Sequence, residues 1–169
     1  MSSIDLTTIL SNLAQSLLSV QQFVEGLGFV LGILFVITGL VKLTKTHFSQ
    51  AGAGGPAAYI LGGIVLIYLP SSVYVVSNTF FGSSNILQYT NYGGFSIYDS
   101  MGILIKTAGL VWFVRGAVLL MHASEPGKQE GLKGLLFVLA GVLAMNFTVT
   151  VSAINAIFSY FIKLSGNVF

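Results

Sequence analysis

Cysteine is missing from this chain, and charge nearly so. Without cysteine there is no disulfide, no thiolate metal ligand and no cysteine nucleophile, and the redox compartment stays open. Charged residues make up 7% of the sequence, where a water-soluble domain carries about 25%. A surface that poor in charge has lipid as its natural solvent. The net charge of +2 is too small and too scattered for a nucleic-acid partner. Only two histidines occur, His47 and His122, and each stands near a connecting segment away from the other. The five carboxylates are dispersed, no base stands beside a nucleophile, and the apolar runs hold no Asp, Glu or His to relay protons. These absences leave no catalytic residue, no metal ligand set and no cofactor to expect. Residues 2–23 contain no Lys or Arg, so the basic region that opens a secretory signal peptide is also missing.

What is present is hydrophobic: 54% of the residues, with a mean hydropathy of +0.89. Four apolar runs stand out, LGFVLGILFVITGLVKL, AAYILGGIVLIYLPSSVYVV, MGILIKTAGLVWFVRGAVLLM and GLLFVLAGVLAMNFTVTVSAI. Each approaches the roughly 20 residues that a transmembrane helix needs. The expected fold is an all-α membrane protein of four transmembrane helices, arranged as two parallel-repeat helical hairpins behind an N-terminal amphipathic helix. Its divisions are an amphipathic helix at 1–24, a first hairpin at 25–77, an aromatic segment at 78–100, a second hairpin at 101–156 and an extension at 157–169.

The repeat rests on glycines seven apart. Gly32 and Gly39 precede the first connection, and Gly55 and Gly62 follow it. Gly109 and Gly116 precede the second connection, and Gly134 and Gly141 follow it. An offset of 77 in the first helix and 79 in the second superimposes them, placing Phe35 on Trp112, Thr38 on Arg115 and Tyr68 on Phe147. Gly28 and Gly32 also form a GxxxG step. Between helices in lipid, association depends on backbones approaching at small residues. These nine glycines are therefore candidate packing positions, either within a hairpin or between subunits.

The remaining features are read in chain order. Leu6, Leu10, Leu13, Leu17, Val20 and Val24 make an apolar stripe opposite Thr7, Ser11, Asn12, Gln15, Ser19 and Gln22, after a cap at Ser2, Ser3 and Asp5. That helix suits a membrane surface or a neighbouring subunit. Pro70 leaves the Leu66 carbonyl without its usual donor, so a kink is expected in a span over 57–76. The uncharged stretch from Phe80 to Tyr98 carries Tyr89, Tyr92 and Phe95 among Gly, Ser and Asn. It reads as an aromatic belt at the interface or as a docking surface. Lys106 and Arg115 lie within the third span, nine residues apart and so on opposite faces. Each would snorkel to the nearer surface, line a polar channel or meet a partner's carboxylate. The final run is too long for one untilted span, and its membrane part is expected to end near Ser152. Lys42, Lys45, Lys128 and Lys133 cluster at the two connections, so the positive-inside rule puts both connections in the cytoplasm and both termini outside.

The hairpin GLGFVLGILFVITGLVKL with its Gly-rich connection and YILGGIVLIYLPSSV resembles the small inner-membrane proteins of type IVB (Dot/Icm) secretion and conjugation systems, DotV-like proteins among them. GLVWFVRGAVLLM and GLLFVLAGVLAMNF fit the same layout. The resemblance covers roughly residues 27–155 and rests on hairpin layout and glycine spacing. It implies a bacterial inner-membrane location and a structural part in a machine that exports protein effectors or DNA. The implied partners are lipid, larger DotA-like polytopic subunits and periplasmic subunits, with several copies in a hetero-oligomer. The competing expectation is a self-assembling pore or pilin-like subunit with Lys106 and Arg115 in a cationic lumen.

Overall fold

The computed structural model describes residues 6–46, 54–82, 97–125 and 127–166. Among them the chain is entirely helical: α1 (Leu6–Thr46), α2 (Gly54–Ile67), α3 (Leu69–Phe81), α4 (Ile97–Ala123), α5 (Gly131–Met145) and α6 (Phe147–Gly166). The cap at Ser2, Ser3 and Asp5, His47, and the aromatic residues Tyr89, Tyr92 and Phe95 lie outside the described residues. Three stretches, Thr8–Lys45, Asp99–Ala123 and Phe147–Ser165, are long and apolar enough to cross a membrane. The bent pair α2 and α3 makes a fourth if it is counted as one span. Length and composition are those of a membrane protein.

α1 differs from the expected amphipathic helix followed by a separate span. It is one helix of 41 residues, with no break near residue 24. At 1.5 Å per residue it runs about 60 Å, twice a hydrocarbon core of about 30 Å. Its buried stripe lies one position along from Leu13 and Val20 of the apolar stripe. Ala14, Gln21 and Gly28, seven apart, face the protein, while Leu13, Val20 and Leu27 are exposed. In lipid the driving force that buries leucine is gone, so small and polar residues turn inward and branched residues outward.

Two glycine-zipped pairs form the frame, α1 with α2 and α4 with α5. A Cβ placed on Gly32 would lie 2.6 Å from the Gly63 carbonyl oxygen, and one on Gly63 would lie 2.7 Å from that of Gly32. Gly109 and Gly141 repeat this reciprocity at 2.8 and 2.7 Å. Seven residues further along, a Cβ on Gly39 would meet Pro56 O and Ile60 N at 3.0 Å. A Cβ on Gly116 would meet Gly134 O at 2.8 Å and Val138 N at 2.6 Å. No side chain fits at these positions, so the helices touch backbone to backbone.

These contacts revise the register. The first helices match at an offset of 77, but the second helices match at 78, with Gly63 on Gly141 and Pro56 on Gly134. Gly62 and Gly55 therefore do not stand where Gly141 and Gly134 do. Gly62 instead faces the Met121 side chain on α4, and a Cβ on Gly55 would lie 3.4 Å from Ser124 O. Gly62 and Gly63 are adjacent, and sequence spacing alone cannot choose between them. Gly28 faces Leu69 of α3, with its Cβ position 3.0 Å from Leu69 Cδ2.

The corrected offset also aligns two breaks. Tyr68 (φ −98°, ψ 38°) ends α2, and Asn146 (φ −100°, ψ 34°), 78 residues on, ends α5. Tyr68 thus corresponds to Asn146 rather than to Phe147. Across each break a hydroxyl reaches seven residues back to a freed carbonyl, Ser72 Oγ to Val65 O and Thr150 Oγ1 to Leu143 O, both at 2.9 Å. The kink expected at Pro70 is a full turn of 96° between α2 and α3. At the second break no proline is needed, because Asn146 Nδ2 donates to Val142 O at 2.9 Å and to Ser77 Oγ at 3.0 Å. The last apolar run accordingly divides at Asn146 into α5 and α6.

The core lies where the first pair meets the second. Leu66, Leu69 and Val73 from α2 and α3 pack with Leu110, Phe113, Ala117 and Met121 of α4 and with Val142 and Met145 of α5. α6, by contrast, has no buried residue among those described.

Candidate functional site

At one end of the frame the last turn of α1, the first turns of α2 and the residues after α4 converge on Glu125. Lys42 Nζ donates to Glu125 Oε1 at 2.6 Å, and Lys128 Nζ reaches Oε2 at 2.6 Å. The Tyr59 hydroxyl donates a short hydrogen bond to Oε1. Both carboxylate oxygens are thus engaged by three donors from three segments. The Lys128 ammonium, then that of Lys42, then the Tyr59 hydroxyl hold the Glu125 carboxyl well below the usual carboxylate range. The carboxylate in return pushes the Lys128 ammonium upward. Behind this ionic clasp sits an aromatic triangle. Phe35 and Tyr59 are 5.9 Å apart between ring centroids, and the His122 ring stands edge-on to both at 6.1 Å. Lys42 Nζ also lies 3.7 Å from the centre of the Tyr59 ring, a cation–π placement that reinforces the ion pair.

Local sequence explains the convergence. Pro56 starts α2, and Tyr59, a turn later and buried, is aimed at the partner pair. α4 ends in Ser124, whose hydroxyl donates to Met121 O at 2.6 Å, and Gly127 takes the positive φ (85°) that turns the chain toward Lys128. The clasp sets one carboxylate between two ammonium groups at the junction of the two helix pairs and offers no base aligned on a nucleophile. His122 Nδ1 lies 3.0 Å from Val118 O. Among the described residues no three His, Asp or Glu side chains come together as a metal site.

Two further polar contacts bind the pairs deeper in the frame. Gln21 Nε2 donates to Thr107 Oγ1 at 2.7 Å, joining α1 to α4 with both residues 5% exposed. Asn146 Nδ2 joins the second break to Ser77 of α3. With few competing partners in an apolar surrounding, such bonds fix which helix faces meet.

The glycines proposed from sequence divide between these roles. Gly32, Gly39, Gly109, Gly116, Gly134 and Gly141 lie inside the helix pairs, while Gly28, Gly55 and Gly62 face other elements. The structure does not bring Lys106 and Arg115 together. Arg115 is exposed, its guanidinium 4.9 Å from the centre of the Phe137 ring, and Lys106 is half-buried. Phe137 in turn lines an open groove of about 350 Å³ with Trp112, Lys133, Leu136 and Ala140. Sequence reasoning gave neither Glu125 nor Tyr59 a role. The available signal was Lys42 at the end of one apolar run and Glu125 at the end of another, opposite charges at matching depth.

No protein-family model, curated protein or solved structure matches the chain.

Proposed function

We propose that this chain is a non-enzymatic structural subunit of a type IVB, Dot/Icm-like secretion or conjugation channel in the bacterial inner membrane. It packs beside larger polytopic subunits of the DotA kind. The observation that carries the reading is α6. Phe158, Tyr160, Phe161 and Ile162 are 62–71% exposed, and none of the α6 span is covered by its own chain. Contiguous apolar surface of this extent is what lipid or a neighbouring subunit covers. The glycine spacing that underlies the resemblance supports the family, and the clasp supports a packing role over a chemical one.

In this reading the two helix pairs are duplicated hairpins that enter the membrane in the same direction. The bond from Lys42 to Glu125 supports it, since it ties the ends of α1 and α4 together. Both connections then face the cytoplasm and both termini face the periplasm, as the placement of Lys42, Lys45, Lys128 and Lys133 requires. The test is purification of the tagged chain from its native envelope in mild detergent, with mass spectrometry of what accompanies it. Large polytopic and periplasmic proteins in fixed ratio are expected. Recovery of the chain alone, as a single homo-oligomeric species, would overturn the assignment in favour of a self-assembling pore.

A further inference from the structure

The two helix pairs are alike in construction, yet they do not meet through like faces. The face of α2 and α3 that is buried against the second pair includes Leu69, Val73 and Ser77, at 0–1% exposure. Their counterparts 78 residues on are Phe147, Val151 and Asn155, and all three are exposed. On the other side of the junction, Leu110, Ala117 and Val142 are buried. Their counterparts in the first pair, Ile33, Leu40 and Ile64, are 39–50% exposed. The contact is therefore heterologous, front of the first repeat to back of the second. It leaves one unused front on the second repeat and one unused back on the first. A heterologous contact between equivalent units can be repeated, closing into a ring or continuing as a filament.

We propose that copies of this chain associate head to tail through that same contact, the α4–α5–α6 front of one copy covering the α1–α2 back of the next. The proposal rests on the duplication read above and not on membership of a secretion machine. The open groove is the strongest sign. Within the chain, Phe35, Tyr59 and Gly62 form a seat that Met121 and His122 of α4 occupy. The equivalent residues of the second repeat are Trp112, Phe137 and Ala140, and they line the groove, which this chain leaves empty. By the repeat, the C-terminal turn of α1 from the next copy fills it. Thr44 stands where Met121 stands, and Lys45 where His122 does.

The polar contact is also matched. Inside the chain Ser77 accepts from Asn146 at the second break, with the two residues 0% and 3% exposed. The repeat places Asn155 of one copy against Tyr68, at the first break, of the next. An amide and a phenol can make the same buried bond, and Tyr68 is 63% exposed and Asn155 exposed in the single chain. The ionic clasp has no counterpart, because Leu119 stands where Lys42 does. The junction between copies therefore lacks the ion pair of the junction within a chain and sets Lys45 beside the Lys133 that lines the groove, so it separates more readily.

The absence of native cysteine makes the test direct. Tyr68→Cys and Asn155→Cys chains are prepared separately, reconstituted in phospholipid vesicles alone or mixed, and oxidised. The mixture is expected to give disulfide dimers severalfold above either chain alone, and the chain with both substitutions a ladder of multimers. Val151→Arg, at an exposed position that the fold does not need, is expected to abolish both. Equal dimer yields from each single chain would mean a two-fold contact and overturn the proposal. So would a chain that stays monomeric at high protein-to-lipid ratio, with phospholipid retained in the groove. Crosslinks between pure copies would stand even if no secretion subunit copurified, and their absence would leave the secretion assignment intact.

Discussion

Substitution of Gly109 by alanine adds one methyl group to α4, at a point where the obstacle is the backbone of α5. The new Cβ would lie 2.8 Å from Gly141 O and 2.9 Å from Met145 N, where ordinary contact begins at 3.4 Å. A carbonyl and an amide within a helix cannot turn aside as a side-chain end can, so α4 and α5 must part by about half an ångström. A radial gap of about 0.5–1 Å forfeits roughly a quarter to a half of each dispersion contact, and the twin contact at Gly116 and Gly134 is levered open with it. Overpacking of this kind costs about 1–3 kcal/mol, and the better helix propensity of alanine returns up to about 1 kcal/mol. The net loss is about 1–2 kcal/mol, or roughly 5- to 30-fold in the folding equilibrium. Gly102, on the same helix, has nothing within 4 Å of its Cβ position. Gly102→Ala therefore receives only the propensity gain and is expected to be neutral or slightly stabilising. The assay is denaturation of detergent-solubilised protein followed by the fluorescence of Trp112, the single tryptophan, on α4 itself. Gly109→Ala proving as stable as Gly102→Ala would refute backbone contact as the basis of the hairpin. On the same reasoning Gly39→Leu and Gly116→Leu impair assembly far more than Lys106→Gln.

The revised register has its own test: Gly63→Ala meets Gly32 O at 2.7 Å and Val36 N at 2.9 Å and destabilises the chain by about 1–2 kcal/mol after the same propensity return, whereas Gly62→Ala meets only the Cγ and Sδ of the Met121 side chain, which can rotate away where backbone cannot, and its loss is rescued by Met121→Ala. Equal losses at the two positions, measured in the same denaturation assay, would contradict it. A double-mutant cycle on Gln21→Leu and Thr107→Val is expected to give a coupling of about 0.6–1.7 kcal/mol, the range of hydrogen bonds between membrane helices; zero coupling would remove that bond from the account. The clasp has a pH signature. Glu125 is depressed in the folded chain, so its contribution is present above about pH 4.3 and is lost as pH falls through the lower folded value. Lys128 is raised, so its contribution is present below about pH 10.4 and is lost as pH rises through the higher folded value. The distance between spin labels at Lys45→Cys and Gln129→Cys should hold constant across neutral pH and past pH 5, and an opening near pH 5 would be the wrong result.

The helical membrane character was legible because it needs only composition and run length. The glycine spacing marked the two helix pairs, since glycines seven apart are where two backbones can touch. Position within a glycine doublet was not legible: Gly62 and Gly63 differ only in which helix each faces, and the connection length that would decide it varies freely. The inward face of α1 was not legible either, because the rule that hydrophobic stripes turn inward belongs to water. Ala14, Gln21 and Gly28 are inside, while Leu13, Val20 and Leu27 are exposed. Nothing in the local sequence announced the break at Asn146, where the side chain caps Val142 O and no proline stands as Pro70 does at the first break. The clasp joins residues 83 apart in sequence, Lys42 and Glu125, and no local pattern announces such a pair.

The arrangement of two hairpins side by side, entering the membrane in the same direction, is the claim on which the rest depends. Its most direct test is the sidedness of Lys45→Cys, at the end of α1, and Gln129→Cys, between α4 and α5, both exposed. A membrane-impermeant maleimide applied to sealed vesicles of known orientation should reach both positions from the cytoplasmic face. Labelling of the two positions from opposite faces would contradict the account.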